Sequence, residues 1–270
     1  MIEEKLALVR SALFLPASNP RAVAKARALA ADLVILDLED AVPPDLKDQA
    51  RTAARGAVEQ DWAPLLAIRL NAADSPEHAR DLAALQGVTP DIFVLPKVER
   101  ATDAAATVAA SGRPLLAMIE TPAGLYAARD IAAVEGVAGL IAGSNDLAAE
   151  LRLPPGQGRA GLTLALQMIV LAARAAGGIA LDGVWNRLDD LGGFEADCAE
   201  GRALGFEGRT LIHPAQIEPC NRLFGPTADQ LDDARALIEA ATGGAERFRG
   251  RMIEAMHVAQ ARRIVARAGR

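Results

Sequence analysis

Short, wholly apolar runs alternate along this chain with longer stretches in which apolar residues recur every three or four positions. Leu33-Val34-Ile35-Leu36, Leu65-Leu66-Ala67-Ile68, Ile92-Phe93-Val94-Leu95 and Leu115-Leu116-Ala117-Met118-Ile119 are too short for helices. Such runs, bounded by turn residues, read as parallel strands covered on both faces. The pattern predicts strands over 12–16, 33–39, 65–71, 92–97, 115–120, 139–143, 179–184 and 210–213. The stretches between them carry helix-start chemistry, such as Ser18-Asn19-Pro20 and Ser75-Pro76-Glu77, where a capping side chain precedes a proline in the first turn. Eight strand–helix units in this order imply a closed (β/α)8 barrel, with an open, doubly wound sheet as the competing arrangement.

After Pro226 the alternation stops. Helical patterns over 229–240 and 252–268 are separated by Thr242-Gly243-Gly244, and Gly250 adds a second break. With no strand left for these helices to complete, the chain is expected to divide into a barrel domain, 1–225, and a helical lid, 226–270. The segment Leu153-Pro154-Pro155-Gly156-Gln157-Gly158-Arg159 reads as a flexible insertion able to close over a site.

Composition narrows the picture. A length of 270 residues suits one barrel. Hydrophobic residues make up 51% of the chain but aromatics only 3%, so the core must be built from Ala, Leu, Val and Ile. A formal net charge of -6 argues against nucleic acid or an anionic membrane as partner. Cys198 and Cys220 form no metal-binding motif and are expected to be free, partly buried thiols. No apolar stretch reaches the ~20 residues that a membrane helix needs, and the N-terminus lacks a signal-peptide core, so a cytoplasmic protein is expected.

The candidate chemistry lies where the strands end, which in a barrel is the active-site face. A carboxylate at the end of a buried strand is expensive unless something pairs with it. Glu120 after the fifth run and Asp146 after the sixth would share that problem, and a divalent cation held by both would solve it. Mg2+ suits sparse carboxylate ligation because it keeps open positions for water and substrate oxygens. Arg69 could grip the carboxylate of a chelating oxo acid through two parallel hydrogen bonds. A structural ion pair of Arg69 with Glu39 or Glu120 is the alternative. Of Asp37, Glu39 and Asp40, some are candidates to orient metal-bound water from behind, and at least one is expected to cap or pair locally. His213 reads as a hydrogen bonder at a strand end, and His78 and His257 as helix-surface residues. Lys97 raises a Schiff-base aldolase, but neighbouring Glu99 and Glu120 would keep it charged. No Gly-x-Ser-x-Gly elbow and no P-loop occurs.

Taken together, Leu13-Phe14-Leu15-Pro16, Leu36-Asp37-Leu38-Glu39-Asp40-Ala41-Val42, Arg69-Leu70-Asn71, Leu95-Pro96-Lys97-Val98-Glu99, Ile119-Glu120-Thr121, Gly143-Ser144-Asn145-Asp146-Leu147 and Ile212-His213-Pro214-Ala215-Gln216 resemble the citrate lyase beta-subunit-like family, which includes malyl-CoA and citramalyl-CoA lyases. The resemblance implies a TIM barrel with a C-terminal lid. It also implies Mg2+-dependent C–C lyase chemistry on a 3-hydroxy-acyl thioester, giving a 2-keto acid and an acyl-CoA, in a homotrimer or hexamer. By position, Glu120 and Asp146 match the metal ligands and Arg69 the substrate-carboxylate arginine. Phe14 and Lys25 match residues that contact CoA, while Asn19 stands where some relatives carry arginine. Relatives place a catalytic Asp in a Gly-x-Met-Ile-Asp-x-Pro lid motif. Here the stretch reads Gly250-Arg251-Met252-Ile253-Glu254-Ala255-Met256, so Glu254 takes that place with an extra methylene and without the proline. Two other readings stay open: a malyl-CoA-type thioesterase, and a non-catalytic subunit that binds keto acids.

Overall fold

The computed structural model describes residues 2–154, 156 and 159–268. Its contacts divide the chain into two units, Met1–Asn221 and Arg222–Arg270.

The first unit is a closed barrel of eight parallel strands in sequential order. The strands are β1 (Ser11–Pro16), β2 (Leu33–Asp37), β3 (Leu65–Arg69), β4 (Ile92–Leu95), β5 (Leu115–Ile119), β6 (Val137–Ala142), β7 (Ile179–Asp182) and β8 (Gly208–Leu211). Between them run α2 (Pro20–Ala26), α3 (Lys47–Val58), α4 (Pro76–Ala84), α5 (Ala101–Ser111), α6 (Pro122–Ala132), α7 (Ser144–Glu150), α8 (Thr163–Ala175) and α9 (Leu191–Leu204). The expected caps are formed: Asn19 Oδ1 accepts from the Ala22 N–H, and the Ser75 hydroxyl accepts from Glu77.

Successive side chains on a strand point to opposite sides, so every second residue faces the barrel interior. Ala12, Leu33, Ile35, Leu65, Ala67, Ile92, Val94, Leu116, Met118, Ile141, Ile179 and Leu181 share one buried cluster there. The same alternation carries Asp37, Arg69 and Glu120 to the C-terminal end of that interior. In the β2–β3 register Asp37 lies opposite Arg69, which makes their pairing a product of strand alignment.

A short helix, α1 (Ile2–Leu6), was not expected from its charged sequence. Its Leu6, with Val9 behind it and Ile2 beside it, packs on the core cluster, so the charges Glu3, Glu4 and Lys5 ride on a helix with one buried edge. Cys198 and Cys220 are fully rather than partly buried. His78 is also more than a surface residue. Its Nδ1 lies 2.9 Å from the Asn71 carbonyl and its Nε2 3.3 Å from Thr107 Oγ1, tying α4 to α5. Of the 153–159 segment, Pro155, Gln157 and Gly158 lie outside the described residues. Arg159 at its end is anchored, with Nη1 and Nη2 each 2.9 Å from the buried Asp182 carboxylate.

The division between the units falls within α10 (Ile217–Phe224). The second unit contains α11 (Ala228–Ala240), a hairpin of β9 (Glu246–Phe248) and β10 (Arg251–Ile253), and α12 (Ala255–Ala268). The hairpin corrects the continuous helix expected over 252–268. Arg249 and Gly250 both take positive φ, +45° and +82°, the geometry of a tight two-residue hairpin turn, and Phe248 pairs with Arg251 across it. Ala234, Leu237, Ile253 and Ala261 form this unit's small core. Glu254 therefore stands between the end of a strand and the start of a helix, exposed to solvent. Its backbone N–H donates to His257 Nδ1 at 3.0 Å, so His257, too, has a partner.

Candidate active site at the mouth of the barrel

A cavity of about 330 Å³ opens at the C-terminal end of the barrel. Phe14, Asp37, Asp40, Arg69, Glu120, Asn145, Asp146 and Asn186 give it its polar and aromatic wall, and Met118, Val184 and Ile212 its apolar one. Of the residues singled out in the sequence, the cavity gathers Phe14, Asp37, Asp40, Arg69, Glu120 and Asp146. Lys25 is exposed on α2 and does not line it, and Glu39 lies buried behind the wall.

Glu120 is 1% exposed, held between the end of β5 and the cap of α6, where Thr121 Oγ1 accepts from the Gly124 N–H. One oxygen, Oε1, accepts from the Lys97 backbone N–H at 2.6 Å. The other lies against Gly143, where a Cβ would overlap both Oε2 and the side-chain Cβ of Glu120. Only glycine lets the loop that carries Asp146, in the first turn of α7, come this close. Gly143 was read merely as part of a motif. Its role depends on a contact across two strands that no local pattern announces.

Arg69 is fixed more tightly than expected. Its Nε and Nη2 each donate to Asp37 at 2.6 Å, and its guanidinium lies 4.8 Å from the centre of the Phe14 ring. Asp37 also accepts from the backbone N–H groups of Glu39 and Ala41 at 2.8 and 3.0 Å. Both Asp37 oxygens are thus committed, so that of the three acids Asp37 is one that caps and pairs locally: it orients Arg69. The two-pronged grip expected of Arg69 must likewise come from its remaining Nη1–Nη2 edge. Burial works against the guanidinium's charge, but bonding to Asp37 and the nearby Glu39 keep it protonated.

Glu39, 5% exposed, receives the Lys97 ammonium on Oε1 at 2.5 Å, with Asp40 3.4 Å from the same nitrogen. Glu39 and Asp40, rather than Glu99, are therefore the principal partners that keep Lys97 charged and unsuited to Schiff-base chemistry. Glu39 Oε2 forms the ion pair with Arg69 given above as the alternative, 3.0 Å from Nη1, but without a hydrogen bond.

The acids outnumber the cations around this cavity, and one of them shows the strain. Burial first, then the charges of Glu39 and Asp146, push the Glu120 carboxyl up to about 7. Burial also raises Glu39. A divalent cation between Glu120 and Asp146 would relieve this repulsion, and the donor set, two hard carboxylate groups beside an open cavity, fits one. Among the described residues there is no group of three or more His, Cys, Asp or Glu arranged to hold a metal.

Other polar residues at the strand ends serve the scaffold. Asn71 is buried and bonded to Lys47 and Asp81, and Asp182 is held by Arg159. His213 is exposed and caps the turn after β8, its Nδ1 accepting from the Ala215 N–H. Among the described residues no helix is long and apolar enough to cross a membrane.

Comparison with known proteins agrees with the barrel fold. Residues 10–214 match the model of the HpcH/HpaI aldolase/citrate lyase family, and residues 162–270 match that of C–C bond lyases of the TIM-barrel fold. A (3S)-malyl-CoA thioesterase of Cereibacter sphaeroides is 40% identical over 269 residues, covering 96% of this chain and 94% of the relative. A citrate lyase subunit beta-like protein of Deinococcus radiodurans is 37% identical, covering 96% and 97%. The crystal structure of the protein CitE from Mycobacterium tuberculosis in complex with magnesium, acetoacetate and coenzyme A superimposes with a TM-score of 0.83 at 34% identity, covering 97% of this chain and 98% of that one.

Proposed function

Since the chain belongs to the HpcH/HpaI aldolase/citrate lyase family, we propose that it is a Mg2+-dependent carbon–carbon lyase that cleaves a 3-hydroxy-acyl thioester such as malyl-CoA or citramalyl-CoA. The observation that carries this reading is the pairing of Glu120 with Asp146 in one cavity beneath a fixed Arg69. Glu120 Oε2 and the Asp146 carboxylate would hold Mg2+. When bound, the ion acts as a Lewis acid on an oxygen of the oxo-acid half of the substrate.

The chain's own residues do the rest. The Nη1–Nη2 edge of Arg69, whose Nη1 also lies 3.0 Å from Glu39 Oε2, binds the substrate carboxylate, and Asp37 with the Phe14 ring fixes the guanidinium at the cavity. Glu254 of a neighbouring copy is the proposed base that takes the hydroxyl proton. The C–C bond then breaks toward the thioester, giving a 2-keto acid and an enolate that collects a proton to become the acyl-CoA. Lys25 on its exposed helix is assigned to the CoA part of the substrate, and a homotrimer or hexamer to the assembly.

A second reading is favoured by the 40% identical relatives named (3S)-malyl-CoA thioesterase, namely hydrolysis of the thioester. Products separate the two. Incubation with malyl-CoA or citramalyl-CoA and Mg2+ is expected to yield a keto acid plus acyl-CoA. Free hydroxy acid plus CoA would transfer the assignment to a thioesterase, and oxo-acid binding with no product to a non-catalytic subunit.

The raised carboxyl at 120 also fixes a pH response. Below about 7 the metal must displace the proton held there by burial. Mg2+ affinity, followed by calorimetry, is therefore expected to fall about tenfold for each pH unit below 7 and to level off above it. An affinity that stays flat through this range would remove Glu120 from the ligand set.

A further inference from the structure

Lys97 follows β4 through Pro96 and takes φ +51°, one of three residues other than glycine with positive φ among those described. A left-handed backbone is strained for a residue with a Cβ, a strain that glycine avoids. A lysine held in this conformation beside Glu120, which lines the cavity, calls for a return from its side chain.

Main chain and side chain act on two different acids. The backbone N–H occupies Glu120 Oε1 at 2.6 Å, which leaves Oε2 as the oxygen beside Gly143 and the Asp146 loop. The ammonium occupies Glu39 Oε1 at 2.5 Å. Glu39 is buried, Lys97 bridges it to Glu120, and its second oxygen lies 3.0 Å from Arg69 Nη1 without a hydrogen bond. Without the ammonium, Glu39 would be held only by the ion pair of Oε2 with Arg69 Nη1, free to turn Oε1 toward the cation site. A third carboxylate at that site would tighten Mg2+ and fill the positions an oxo acid needs.

Resting on the two-carboxylate reading above, we propose that Lys97 is a positioning residue that keeps Glu39 off the cation, so that Glu120 and Asp146 alone hold Mg2+ and substrate oxygens can complete its shell. The lysine trades metal affinity for an open coordination sphere. This role gives Lys97 effects of opposite sign on metal and on oxo acid, which damage to the fold cannot imitate.

Lys97→Gly is the cleanest test, because it accepts φ +51°, retains the N–H to Glu120 and removes only the side chain. Mg2+ is titrated calorimetrically into the metal-free protein, and pyruvate is then titrated into the Mg2+-saturated protein. Lys97→Gly is expected to bind Mg2+ about fivefold more tightly and pyruvate about tenfold more weakly than the parent chain. Lys97→Arg, which returns a cation to Glu39, is expected to restore most of both. Lys97→Met keeps the bulk of the side chain and must show the same two opposed changes, so a poorly folding glycine variant leaves the question answerable. Mg2+ affinity equal to or weaker than the parent in the charge-free variants, with wild-type melting behaviour, overturns the proposal. A parent protein that takes up no Mg2+ overturns the metal reading itself, an outcome distinct from an unchanged variant.

Discussion

Glu120→Gln is expected to leave the metal-free protein more stable than its parent and almost inert. A carboxyl raised from 4.5 to about 7 holds its proton more tightly in the folded chain than in the unfolded one. The metal-free protein therefore loses stability as pH climbs through that interval, and the full loss is present above 7. Glutamine carries no charge to bury, and its carbonyl can still accept the Lys97 N–H. At pH 8 the variant should gain about 2 kcal/mol, a rise of about 4 °C in melting temperature for a chain of this size, and at about pH 4 it should gain almost nothing. Added Mg2+ should raise the melting temperature of the parent but not of the variant. Turnover should fall by about 1,000-fold, the scale on which electrostatic stabilisation of developing charge operates. A variant that binds Mg2+ as the parent does would refute the assignment. Stability lost where the chemistry is performed is a familiar trade in active sites.

Gly143→Ala should cripple the site without touching a charged group. The added methyl would overlap Glu120 at both Cβ and Oε2. Glu120 cannot retreat, because Lys97 holds its other oxygen. The loop must then back away and take Asp146 with it. Overpacking of this kind costs about 1–3 kcal/mol, and a carboxylate displaced by about 1 Å loses on the order of 100-fold in activity. Mg2+ affinity, measured by calorimetry, should fall by a comparable factor. Gly56 in α3 provides the control, because a Cβ there meets nothing within 4 Å. Gly56→Ala should be neutral or stabilising by about 0.5–1 kcal/mol. Equal metal affinity in Gly143→Ala and its parent would mean that the two acids do not depend on this close approach.

The barrel could be read from the chain because each strand is a contiguous apolar run and most helices announce their first turn. Glu120 and Asp146 stood out for a physical reason: a charge directly after such a run has to be compensated. Information that spans the sheet was harder to see. Asp37 and Arg69 are 32 residues apart, and only the alignment of β2 with β3 shows that the acid belongs to the arginine. The left-handed turn at Lys97 was hidden because lysine gives no local cue to positive φ, unlike Gly250 in the hairpin. The hairpin itself was masked by the apolar spacing of Met252, Ile253 and Met256, which also suits a helix. α1 was missed because five residues offer too little periodicity for a buried edge to show.

The alternation that lines up the barrel interior has a bearing on how this scaffold could acquire new substrates. Inserting or deleting one residue within β2, β3 or β5 would turn Asp37, Arg69 or Glu120 outward among the helices and swing a leucine or isoleucine into the mouth. The reactive ring and the hydrophobic layers beneath it are thus written in a single reading frame, and neither can slip without the other. Diversification is left to the segments beyond the strand ends, where Asn145, Asn186 and Ile212 reach the cavity from loops and short helices that tolerate change.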